Sequence, residues 1–99
     1  MKQKQIEIWN YLTKNALGID YAKHIEVIAS AIGEPPQGTN NDNVRNWITD
    51  MVLNHGKPIG TCIDGAFIIL NDTEREIAAK FVERNNRANA VRNNGNYIP

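Results

Sequence analysis

The chain has 99 residues, 41% hydrophobic and 22% charged, with eleven basic residues balanced by eleven acidic ones. That length limits it to one domain, whose core buries about 60–65% of the unfolded surface. The charge balance leaves no global field to draw it onto phosphates, so any nucleic-acid affinity must come from a local patch.

A single cysteine, Cys62, excludes an internal disulfide, and with His24 and His55 far apart in sequence it builds no zinc site. Cys62 reads as a small buried apolar residue of a strand. The longest apolar run, Ala66 to Leu70, is far too short to span a membrane, and MKQKQIEIWN lacks the apolar core of a signal peptide. A cytoplasmic protein is expected.

In chain order, Ile8, Trp9, Leu12 and Ala16 share one face of a first helix over residues 3–16, which stops near Gly18. Asp20 offers a cap for a second helix whose stripe is Ala22, Ile25, Ile28, Ala29 and Ile32, ended by Gly33. His24 lies off that stripe and is assigned no chemistry. The linker Glu34 to Asn40 holds Pro35, Pro36 and Gly38, which forbid continued helix. It is either a spacer or a backbone-phosphate contact through its amides, Thr39 and Asn40.

A third helix, about Asn41 to His55, follows from Val44, Trp47, Ile48 and Met51 at i, i+3, i+4 and i+7, with Asn41 or Asp42 as cap and Gly56 just past the end. If that stripe faces inward, Asp42, Asn46, Thr49 and Leu53 point outward, with Asn43, Arg45 and Asp50 on the shoulders. Short polar side chains near a helix N-terminus suit base edges in the major groove, Asn for adenine and Arg for guanine. Asn43, Arg45, Asn46 and Thr49 meet that requirement, whereas Asp42 and Asp50 oppose it. Next, Ile59 to Cys62 and Ala66 to Leu70 are two short β-like runs around Asp64-Gly65, a hairpin signal. Pro58 suits the start of an edge strand, and Ile59 and Phe67 can pack on the helices.

Finally, Thr73 answered by Glu76 is a capping box opening a fourth helix, with Ile77, Phe81, Ala88 and Val91 on one side and Ile77 and Phe81 covering the core. Between Arg84 and Pro99 stand Arg84, Arg87 and Arg92 and no acid. This is either a solvated helix end, where cations suit the macrodipole, or a basic arm along phosphate. The helix is expected to fray near Asn93, giving one domain over 1–92 and a tail over 93–99. Tyr97 and Ile98 could stitch onto a second subunit, making a homodimer through the C-terminal helix.

A helix followed at once by a hairpin is the centre of a winged helix-turn-helix. The segment from Asn43 to Phe67, with Val44, Arg45 and Ile48, then His55-Gly56, Lys57-Pro58-Ile59-Gly60 and Asp64-Gly65-Ala66-Phe67, resembles the small winged-helix DNA-binding proteins of bacteriophages and prophages. The resemblance spans roughly residues 5–85 and is specific over 43–69. It implies a mainly α (α+β) fold, with a three-helix core, a two-stranded hairpin wing and a C-terminal helix. It also implies duplex DNA binding in gene control or replication, without catalysis. In the wing, Lys57, Thr61 and the backbone of Ile63 to Gly65 would meet phosphate or the minor groove.

No Gly-rich phosphate loop, HExxH, paired CxxC or nucleophile with a base is present, and Glu74 and Glu76 do not face each other on a helix. No enzyme activity and no cofactor are expected. The competing class is a winged-helix adaptor or inhibitor that docks on a host protein, favoured by neutral net charge, an acidic hairpin tip and apolar Leu53 and Ile63.

Overall fold

The computed structural model describes residues 1–35 and 41–93, with side chains described through Arg84. Four helices and one hairpin follow in the order α1 (Gln3–Asn15), α2 (Ile25–Ala31), α3 (Asp42–His55), β1 (Ile59–Cys62), β2 (Gly65–Ile68) and α4 (Asp72–Asn93), with a 3-10 turn at Ile19–Tyr21. The fold is thus mainly helical with one antiparallel hairpin.

The core forms where the three predicted stripes meet. Ile8, Leu12 and Ala16 from α1 and its cap pack with Ile25, Ile28, Ala29 and Ile32 of the α2 segment and Val44, Ile48 and Met51 of α3. Trp9, Tyr11 and Trp47 lie half-buried around them. Each large aliphatic side chain removed from water here stabilises the fold by about 1.5–3 kcal/mol.

The second helix starts later than its apolar spacing predicts. Asp20 sits in the 3-10 turn, and the chain at Lys23 is extended because its N–H donates to the Ala66 carbonyl while the Ala66 N–H donates back, both at 2.9 Å. A residue committed to a strand-like pair cannot also be helical, so α2 begins at Ile25 with His24 at its cap position.

The hairpin pairs Ile59 with Ile68, Gly60 with Phe67, Thr61 with Ala66 and Cys62 with Gly65. Its two-residue loop is therefore Ile63-Asp64, one position earlier than the Asp64-Gly65 turn expected. Neither loop residue has positive φ; Gly65 takes φ +120° beside them. Any Cβ at Gly65 would overlap the Lys23 carbonyl, so the glycine serves the approach of that neighbouring segment as well as the turn. The outer edge of β2 is closed by Lys23 and, further along, by Gly18 N–H donating to Ile68 and Ile68 N–H donating to Ala16.

Successive strand residues alternate between faces. Ile59, Ala66 and Ile68 face the three-helix core. Gly60 and Phe67 face the other way, against Ala78 of α4. The hairpin is consequently buried on both sides. Cys62, expected to be buried, is only half-buried and carries a free thiol.

At α4 the expected cap moves. Glu74 N–H donates to Asn71 Oδ1 at 2.9 Å, so Asn71 rather than Thr73 caps the helix. The Glu74 carboxylate accepts from Leu70 N–H at 2.8 Å and from Ile19 N–H at 3.0 Å, tying the helix start to the 3-10 turn. Ile77 does not cover the core, being 41% exposed; Ala78 is the buried residue, and its methyl group lies over Gly60. Phe81 is half-buried. α4 continues to Asn93; the side chains of Ala88 and Val91, and Tyr97 and Ile98, lie outside what is described.

Candidate nucleic-acid interface

α3 carries a run of polar side chains on one exposed surface. Val44, Ile48 and Met51 are buried and Trp47 is half-buried. The same turns leave Asp42, Asn43, Arg45, Asn46, Thr49 and Leu53 exposed, as the helical wheel requires. The helix entry differs from expectation: Asn41 holds the cap position in a left-handed conformation, φ 50°, and its side chain makes no capping bond. The exit is as read, with Gly56 at φ 63° and Lys57 N–H donating back to the Met51 carbonyl at 3.0 Å.

The exposed groups are partly ordered by local bonds. Asn43 Nδ2 donates to Glu34 Oε1 at 3.2 Å, which leaves the amide oxygen outward. Thr49 Oγ1 donates to the Arg45 carbonyl at 3.0 Å. Arg45 and Thr49 line a groove of about 590 Å³ together with Thr61 and Ile63 of the hairpin and Phe81 of α4. The groove brings together three of the predicted contacts, Arg45, Thr49 and Thr61. Glu26 also lines it and places a carboxylate on the same surface.

Asp50 does not compete with that surface as expected. It is turned towards α1, where Gln5 Nε2 donates to its Oδ2 at 2.8 Å; Asn54 Nδ2 donates to Oδ1 at 2.6 Å and His55 Nε2 stands 3.3 Å from Oδ2. The Gln5 hydrogen bond first, then that from Asn54, holds the Asp50 carboxyl below the usual carboxylate range, with His55 adding to the effect.

Gln5 was not singled out by sequence reasoning, because a glutamine on an apolar helix face carries no periodic signal. It is 2% exposed and fully used: Lys2 N–H donates to its Oε1 at 2.7 Å, and its Nε2 also donates to the Trp47 carbonyl at 3.1 Å. It locks the angle at which α1 presents α3.

The remaining candidates are dispersed. Lys57 is half-buried with its ammonium 4.7 Å from the Trp9 ring centroid, away from the groove wall. Arg84 is exposed on α4 but does not line the groove. Arg87 and Arg92 lie within α4 but their side chains, like Thr39 and Asn40 altogether, are outside the described residues.

Among the described residues no group of three or more His, Cys, Asp or Glu is placed to hold a metal, and no helix is long and apolar enough to cross a membrane. Compared with known protein families, with curated proteins and with solved structures, the chain finds no match.

Proposed function

We propose that the chain is a winged helix-turn-helix protein that binds duplex DNA, acting in the cytoplasm of a bacterial or infected cell as a phage-type regulator of transcription or a replication accessory factor. α1, α2 and α3 supply the three-helix core and β1–β2 the wing. The observation that carries this reading is the outward polar face of α3, where Asn43, Arg45, Asn46 and Thr49 are exposed within its first turns while Val44 and Ile48 are buried on the opposite side.

Asparagine and arginine at those positions suit base edges; Thr61 of the same groove and the arginines of α4 suit phosphates. A second copy joined through α4 would present two such faces to two half-sites. The test is a fluorescence-polarisation titration against random-sequence duplex DNA at low and moderate salt. Binding at low salt that weakens linearly in log[salt] supports the reading. No binding at low salt overturns it.

A second reading rests on one specific observation: Leu53 is 74% and Ile63 83% exposed, and no Lys or Arg stands between Ile59 and Ile68. Two large apolar side chains in water beside a hairpin without cations suit a protein partner. A pull-down with host factors that is lost with Leu53→Ser or Ile63→Ser, alongside absent DNA binding, would favour this adaptor role.

A further inference from the structure

Lys57 is a cation whose backbone and side chain are both restrained. Its N–H donates to Met51, its carbonyl accepts from Ile59 N–H at 2.8 Å, and the following Pro58 narrows its backbone further. Its ammonium rests 4.7 Å from the centre of the Trp9 ring. His55 pairs with Asp50 and Lys80 with Glu76, whereas the Lys57 ammonium lies against a π face.

That distinction has an electrostatic consequence. A carboxylate partner would cancel the charge; an aromatic face orients it and leaves the net positive charge in place. The lysine stands at the junction between α3 and β1, the two elements proposed to approach DNA. A long lysine side chain normally surrenders rotamer freedom when it meets a phosphate. One already laid on an indole surrenders less.

We propose that Trp9 is a positioning residue of the DNA interface, holding the Lys57 ammonium in place as a preorganised phosphate contact. This rests on the DNA-binding reading above. Trp9 itself touches no DNA; it acts through Lys57 alone, and that dependence separates it from a residue that merely supports the fold.

The test is a double-mutant cycle on the full chain, using polarisation titrations against the same random duplex over a series of salt concentrations. Lys57→Met is expected to lower the magnitude of the log K against log[salt] slope by about 0.9 and to weaken binding about eight-fold at 0.1 M salt. Trp9→Leu is expected to weaken binding about two- to five-fold with the slope unchanged, since the cation remains but is no longer ordered. In the Lys57→Met background Trp9→Leu should change nothing, and Trp9→Phe should recover most of the wild-type affinity. Circular dichroism checks folding of each variant; should Trp9→Leu not fold, Trp9→Met, which keeps apolar bulk without a π face, takes its place in the cycle.

A slope unaltered by Lys57→Met, or a Trp9 effect that persists without Lys57, overturns the inference while leaving DNA binding intact. Absent salt-dependent binding by the wild-type chain overturns the DNA reading and this role of Trp9 with it.

Discussion

Replacing Gly60 by alanine should loosen α4 from the hairpin. An added Cβ would lie 2.8 Å from Phe67 Cζ, 2.9 Å from Ala78 Cβ and 3.1 Å from Ile69 Cγ1. Ordinary van der Waals contact begins near 3.4 Å, so the first two neighbours must each retreat by about half an ångström. Phe67 is fully buried and cannot swing away, and Gly60 is fixed by pairing with it. The compliant partner is α4, which must lift from β1.

Overpacking of this kind costs about 1–3 kcal/mol, and the smaller entropy of an unfolded alanine offsets only roughly 0.4–1 kcal/mol. For a domain of this size each kcal/mol moves the melting temperature by about 4–8 °C. Circular-dichroism melts should therefore place Gly60→Ala roughly 5–15 °C below the wild type. Combining it with Ala78→Gly, which removes one of the two clashing carbons, should cost less than the sum of the two single changes. A melting temperature within a degree of wild type, with strictly additive single effects, would refute the close helix-on-strand contact.

Other outcomes follow from the helix cap, the buried amide and the α3 surface. Asn71→Ala should destabilise by about 1 kcal/mol in urea titrations, whereas Thr73→Ala, at the second helical position, should be close to neutral; the reverse order would restore Thr73 as the cap.

Asp50 has a depressed folded-state pKa, so its contribution to stability is present above the unfolded carboxylate value near 3.9 and is lost as pH falls through the folded value. The gap in urea midpoint between wild type and Asp50→Asn should thus be widest near neutrality and close on acidification below about pH 4; a gap that widens with acid contradicts that sign. Gln5→Leu should narrow the same pH dependence, because the largest cause of the shift is gone. Arg45→Ala should weaken duplex binding by about 1–3 kcal/mol if the guanidinium reads a base, with loss of sequence preference at one position in a binding-site selection; equal weakening on all sequences would make it a phosphate contact instead.

The helical parts of this fold are legible because burial along them repeats at helical spacing. Ile8 and Leu12, Ile25 and Ile28, and Val44, Ile48 and Met51 are all buried where spacing alone places them. The first hairpin strand falls where its β-branched run places it, while the second begins one residue before Ala66 and ends two before Leu70.

What sequence misses is long-range. Nothing local says that Lys23 will pair with Ala66, yet that pair shortens α2 and shifts the meaning of Gly65 from turn centre to close approach. Nothing local favours Ala78 over Ile77 for burial either; Ala78 is buried where it meets Gly60, eighteen residues earlier in the chain.

The polar site divides in the same way. The exposure of Asn43, Arg45, Asn46 and Thr49 is a property of one helix and can be read from it. The shared groove of Arg45 and Thr61, the diversion of Asp50 to Gln5 and the placement of Lys57 on Trp9 each involve residues from different elements. Local windows carry no signal for such pairs.

DNA bound as proposed would lie against the outer face of α3. An amide-resolved NMR titration with a short duplex tests that placement most directly. Shift changes should concentrate on residues 43 to 49, Lys57 and Thr61, fading when salt is raised. Changes confined to Leu53 and the hairpin tip, or none with duplex in excess at low salt, would contradict it.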